Sequence, residues 1–176
     1  MDARLDLVDR LLTLERRVCR IYQKWAGNET FSSDLRTFWR EMAEDEEGHL
    51  AILERSAGLL NFAAAPPETS TAQIQQVEAK LSTAEHVSGK SELTIEEALG
   101  HALTLESSEL NGLDEAWLRG FHPDLATLTR AGMPKHEEHI RRLCEAIDKF
   151  TADDNLRKGA AALVAQYQRQ EAAHSG

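Results

Sequence analysis

One helical hairpin is written twice in this chain. Leu12-Thr13-Leu14-Glu15 returns as Leu103-Thr104-Leu105-Glu106 at an offset of 91, and Asp34 to Leu53 aligns with Asp124 to Leu143 at an offset of 90. Seven of those twenty aligned positions are identical: an Asp-Leu pair, a Thr, an Arg, a Glu, a His and a Leu. Within the first copy, Leu5, Val8, Leu11, Leu12, Val18, Ile21, Tyr22 and Trp25 keep to steps of three and four. That spacing lays an apolar stripe along one face of a helix, whereas a strand would need a period of two. A hairpin used twice predicts an all-α four-helix bundle, its parts arranged about a pseudo-two-fold axis.

The punctuation divides the chain into elements. A first helix of about 24 residues ends at Gly27-Asn28. A second runs from about Ser32 to Arg55 on Leu35, Phe38, Trp39, Met42, Leu50 and Leu53, and Gly58 with Pro66-Pro67 closes it. Residues 62–93, within a crossover over 59–93, are small, polar and weakly periodic. They predict a long crossover with one short helix over 71–84, opened by the capping box Ser70-x-x-Gln73. Thr94-x-x-Glu97 is a clearer box and opens a third long helix over about 94–119. Pro123 suits the first turn of a fourth, which runs to about Phe150 and is kinked or broken by Pro134 near Gly132. Thr151-x-x-Asp154 predicts the start of a C-terminal helix over about 152–170. The whole, residues 1–176, reads as one domain with the bundle over about 2–150.

Composition narrows the class. With 10 Gly and 4 Pro in 176 residues, long helices are favoured over a turn-rich β fold. The net charge of −10 argues against nucleic acid or an anionic membrane as partner. No apolar run approaches the roughly 20 residues of a membrane span. The first residues carry no basic-then-apolar leader, so the cytoplasm is the expected compartment. Cys19 and Cys144 stand alone without a C-x-x-C, which leaves no zinc-ribbon or rubredoxin-type site and marks both as small packing residues.

The polar residues set into the apolar stripes carry the chemistry. Glu15 lies among Leu11, Leu12, Leu14 and Val18. Glu46-x-x-His49 follows on the second helix, Glu106-x-x-Glu109 on the third, and His136-x-x-His139 on the fourth, in the slots where the repeat puts Glu46 and His49. Residues three apart on a helix are separated by about 4.5 Å along the axis and about 60° around it, so a Glu and a His so spaced reach one metal centre together. Glu46 belongs to an acidic run, Glu44-Asp45-Glu46-Glu47, of a kind that is usually solvated. The register with Trp39, Met42 and Leu50 nevertheless turns Glu46 and His49 inward. Four carboxylates converging in a core need a counter-charge, which two divalent cations supply, and oxygen with imidazole ligation suits iron or manganese, with zinc also possible. Tyr22 and Trp39 have the spacing of core aromatics without a redox role, and His101 reads as a packing residue. Glu137 and Glu138 are substitute ligands if the kink rotates the fourth helix.

With these residues in helix order, residues 5–147 resemble the ferritin-like di-iron carboxylate family, and within it the rubrerythrin-like branch. Glu106-x-x-Glu109 is the more specific feature, resembling the extra terminal carboxylate of rubrerythrins. The resemblance implies a ferritin-like bundle holding two metal ions, a peroxidase or ferroxidase activity on peroxide or dioxygen, and often a homodimer. It implies Glu46 as a bridge, Glu15 and Glu106 as terminal ligands, His49 and His139 as anchors of one ion each, and Glu109 as a redox-dependent ligand. The chain departs from the pattern twice. Without a rubredoxin domain, electrons must come from an external, rubredoxin-like donor. His136 stands where the family pattern expects a second bridging Glu, and a neutral imidazole offers one lone pair where a carboxylate offers two oxygens. The expected function is a di-metal oxidoreductase of rubrerythrin type. Two other readings stay open: a ferroxidase or iron-handling protein, and a degenerate bundle that holds zinc or no metal.

Overall fold

The computed structural model describes residues 3–59, 71–90, 92–108 and 136–174. The described residues form an all-helical structure of α1 (Ala3–Ala26), α2 (Ser33–Leu59), α3 (Thr71–Ser88), α4 (Ile95–Glu106), α5 (His136–Phe150) and α6 (Asp154–His174). None of these helices is long and apolar enough to cross a membrane.

Side-chain ties between helices set their directions. Arg16 meets Glu54 at 2.8 Å and Gln23 meets Glu47 at 3.0 Å, so α1 and α2 run antiparallel as a hairpin. Arg10–Glu78 at 3.0 Å and the two-pronged Arg17–Glu85 pair at 2.8 Å place α3 parallel to α1. On the other side of α2, His139 and Arg142 both meet Asp45, while Lys149 reaches Asp34, so α5 is antiparallel to α2. A helix α4 packed against α3, α5 and α6 completes the set.

The core is built from the apolar stripes. Leu11, Leu14, Tyr22 and Trp25 of α1 face Leu35, Trp39, Met42 and Leu53 of α2, and all are 0–1% exposed. Burial of each such side chain contributes about 1.5–3 kcal/mol. The apolar side of α4 supplies Ala98, Leu99 and Ala102, and α5 supplies Leu143 and Ile147. At the α4–α6 contact a β-carbon on Gly159 would stand 2.6 Å from Leu103 Cδ2, so the missing side chain is what allows the two helices to approach.

Helix boundaries follow local chemistry, with corrections to the sequence expectation. The box at Thr94 forms as expected: Glu97 N–H donates to Thr94 Oγ1 and Thr94 N–H to Glu97 Oε2, both at 3.1 Å. The second helix does not stop at Arg55 but passes through Gly58 to Leu59, since glycine ends a helix only where it leaves the helical conformation. The crossover helix is longer than 71–84, because Ile74, Val77, Leu81, Ala84 and Val87 form a narrow buried stripe along all of α3. The third helix closes at Glu106, well short of 119. Ser107 and Ser108 turn their hydroxyls onto the carbonyls of Leu103 and Leu105, in competition with continued helix. The last helix is capped by Asp153, whose Oδ1 accepts from Asn155 and Leu156 N–H at 2.7 and 3.2 Å, and not by Thr151. Thr151 instead caps the turn before it, accepting from Asp153 N–H at 3.1 Å. Ser70, Pro66-Pro67, Pro123 and the expected kink at Pro134 lie outside the described residues.

Candidate metal centre

Four helices each bring acidic or imidazole groups into the bundle interior. Glu15 comes from α1, Glu46 and His49 from α2, Glu106 from the last position of α4 and His139 from the first turns of α5. Their exposures are 0, 3, 2, 6 and 1%, as low as those of the core leucines. Each occupies a slot of an apolar stripe, so folding the stripe inward carries the polar group with it. An ionised carboxylate buried this deeply costs several kcal/mol unless positive charge or hydrogen bonds compensate.

The groups converge on Glu46. Its Oε2 lies 3.2 Å from His49 Nδ1, and its Oε1 lies 3.4 Å from His139 Nε2. One carboxylate thus faces two different imidazoles, whose ring centres are 5.8 Å apart. His139 Nε2 also lies 3.0 Å from Glu106 Oε1. Donor atoms of Glu15, Glu46 and His49 all fall within 4.8 Å of one another, and so do those of Glu46, Glu106 and His139. Either group could hold a metal ion, and Glu46 belongs to both.

A second layer of contacts holds the donors in place. Asp45 Oδ2 sits 3.1 Å from His139 Nδ1 and also accepts from Arg142, which lies 3.8 Å from Glu41 as well. With its proton on Nδ1 facing Asp45, a neutral His139 aims the lone pair of Nε2 at Glu46 and Glu106. Across the bundle, the Tyr22 hydroxyl donates to Glu106 Oε1 at 2.7 Å. Tyr22 itself is wedged against Trp25 and Trp39, with ring centres 5.6 and 5.5 Å away.

The electrostatics match a centre that calls for cations. Burial raises the Tyr22 phenol well above its usual range, and the charges of Glu106, Glu46 and Glu15 with the bond to Glu106 raise it further. For His139 burial alone would lower the pKa, yet Glu106, Asp45 and Glu46 together lift it well above normal. The cluster therefore stabilises positive charge on the imidazole wherever no metal supplies it. Cys19, bonded through Sγ to the Ala43 carbonyl at 3.7 Å, is pushed up to about 11, by burial first and then by Glu47, Glu46 and Glu15. It behaves as a packing residue.

Of the residues singled out from sequence, the structure gathers Glu15, Glu46, His49, Glu106 and His139. Glu109 and the side chain of His136 lie outside the described residues. Glu138 is not drawn into the cluster; it pairs with Arg141 on the surface. His101 stays apart, half-buried, its pKa lowered by burial. Three contributors were missed. Tyr22 stands seven residues after Glu15, two turns along the same face, and that spacing was the available signal. Asp45 was hidden in an acidic run, and Arg142 carried no local sign.

Comparison with known protein families, with characterised proteins and with solved structures finds no match.

Proposed function

We propose that this chain is a ferritin-like di-metal protein of rubrerythrin type, reducing peroxide or activating dioxygen at the centre shared by α1, α2, α4 and α5. The observation that carries this reading is the double use of Glu46, whose two oxygens face His49 and His139 at 3.2 and 3.4 Å. With a different imidazole facing each of its oxygens, Glu46 would be the ligand shared by both ions if two are held here. The arrangement of the helices supports the same reading, with one antiparallel hairpin of α1 and α2, a crossover containing α3, and a second half in which α4 packs against α5.

The donor set fits. Carboxylate oxygens and imidazole nitrogens suit iron, manganese or zinc, and the absence of thiolate among them disfavours a soft-metal site. Ionised around bound cations, Glu15, Glu46 and Glu106 would supply three negative charges, while Asp45 is balanced by Arg142. Glu109, the fourth expected carboxylate, would bring the ligand charge to that of two divalent cations. When bound, a pair of redox-active ions supplies the two electrons needed to split a peroxide O–O bond.

The chain's own residues do the positioning. Asp45 fixes which nitrogen His139 presents, and Tyr22 holds one oxygen of Glu106. Exposures of 0–6% at the five donors keep bulk water away and admit only a small reactant without a large opening of the bundle. An external one-electron carrier would restore the reduced state.

The test is metal content with turnover on anaerobically purified protein. About two iron or manganese ions per chain, with peroxide consumed at the expense of a reductant, would support the proposal. Full metal content and activity in Glu46→Ala would sink it. Iron-dependent oxygen uptake without peroxide turnover would mark a ferroxidase instead.

A further inference from the structure

The two donor groups differ in where their residues come from. Glu15, Glu46 and His49 are contributed by α1 and α2, within one hairpin. Glu46, Glu106 and His139 are contributed by α2, α4 and α5, and so draw on both halves of the chain. The contacts that brace this second group also cross between halves. Tyr22 of α1 bonds Glu106 of α4 at 2.7 Å, and Asp45 of α2 meets His139 and Arg142 of α5.

Glu46 and Glu106 thus approach one nitrogen, His139 Nε2, from opposite halves, at 3.4 and 3.0 Å. Two buried carboxylates brought this close repel wherever no positive charge lies between them. A cation at the same point turns that repulsion into attraction on both sides. Because the complete group exists only when the halves are together, a cation that binds it favours the docked state by mass action.

We propose that a cation held by Glu46, Glu106 and His139 is the clasp between the two halves of the chain, ordering α4 and α5 against α1 and α2. The proposal rests on reading the cluster as a metal centre and adds to it a division of labour between the two donor groups.

Hydrogen–deuterium exchange on the full chain, with and without Mn(II), tests it. At free Mn(II) about 100 times the Kd, amides of α4 and α5 that exchange by parting of the halves should slow about 100-fold. Glu15→Gln should keep that slowing. His139→Gln and Glu106→Gln should lose it in α4 and α5, even where dialysis shows that they still bind Mn(II). Using two variants on different helices separates loss of the clasp from misfolding of one of them. Slowing confined to α1 and α2 in the parent protein, or undiminished slowing in both His139→Gln and Glu106→Gln, would overturn the clasp while leaving the metal centre standing. Failure of the parent protein to bind Mn(II), Fe(II) or Zn(II) would overturn the metal-centre reading and the clasp with it.

Discussion

His139 and Glu46 meet across the α2–α5 interface with Nε2 3.4 Å from Oε1, and the other oxygen of the same carboxylate faces His49 at 3.2 Å. Glu46 is therefore the residue on which both donor groups depend. Replacing it with Ala should reduce bound metal from about two ions per chain to less than one, whereas Glu15→Ala should retain about one. Elemental analysis after reconstitution with Fe(II) under anaerobic conditions checks this, and equal losses in the two variants would contradict it.

Asp45 touches no proposed metal position, yet it sets the orientation of His139. Removing such an outer partner typically weakens metal binding by about 10–100-fold. Asp45→Ala should show a loss of that size in a chelator-competition titration, with helix content by circular dichroism unchanged. An affinity equal to the parent's would mean that packing alone orients the imidazole.

Tyr22→Phe removes one hydroxyl from a fully buried bond to a carboxylate. The metal-free protein should lose about 1–3 kcal/mol in urea unfolding, because Glu106 is left with one hydrogen bond fewer in the core. No change in the midpoint would show that the hydroxyl contributes nothing to stability.

Both cysteines are raised from 9.0 to about 11, burial being the first cause in each. A raised thiol stays neutral over a wider range, so at pH 7.5 the thiolate population is about 100-fold below that of an unshifted cysteine. Alkylation by iodoacetamide should be slow at neutral pH and still accelerating above pH 9. The sign for stability follows: the contribution is complete below about 9 and is lost as pH rises through about 11. Rapid stoichiometric labelling at pH 7.5 would contradict the burial of Cys19.

Much of this arrangement was legible in one dimension, because what makes a helix and turns it inward is local. Steps of three and four marked α1 and the buried face of α2. The Thr94–Glu97 box marked the start of α4, where cap and helix lie three residues apart. Glu15, Glu46, His49, Glu106 and His139 stood out because each interrupts an apolar stripe that must be buried, and burial of the stripe forces burial of the interruption. Where locality fails, the reading failed with it. The stripe on α3 is narrow and made partly of small residues, so its length emerged only from its packing on α1. The early end of α4 depends on two serines choosing carbonyls over solvent. Tyr22 and Glu106 are 84 positions apart, Asp45 and His139 are 94, and Asp45 and Arg142 are 97. Charge and hydroxyl groups of that kind have no period. Their partners are set by which helices lie side by side and by the register between them, which only the folded chain decides.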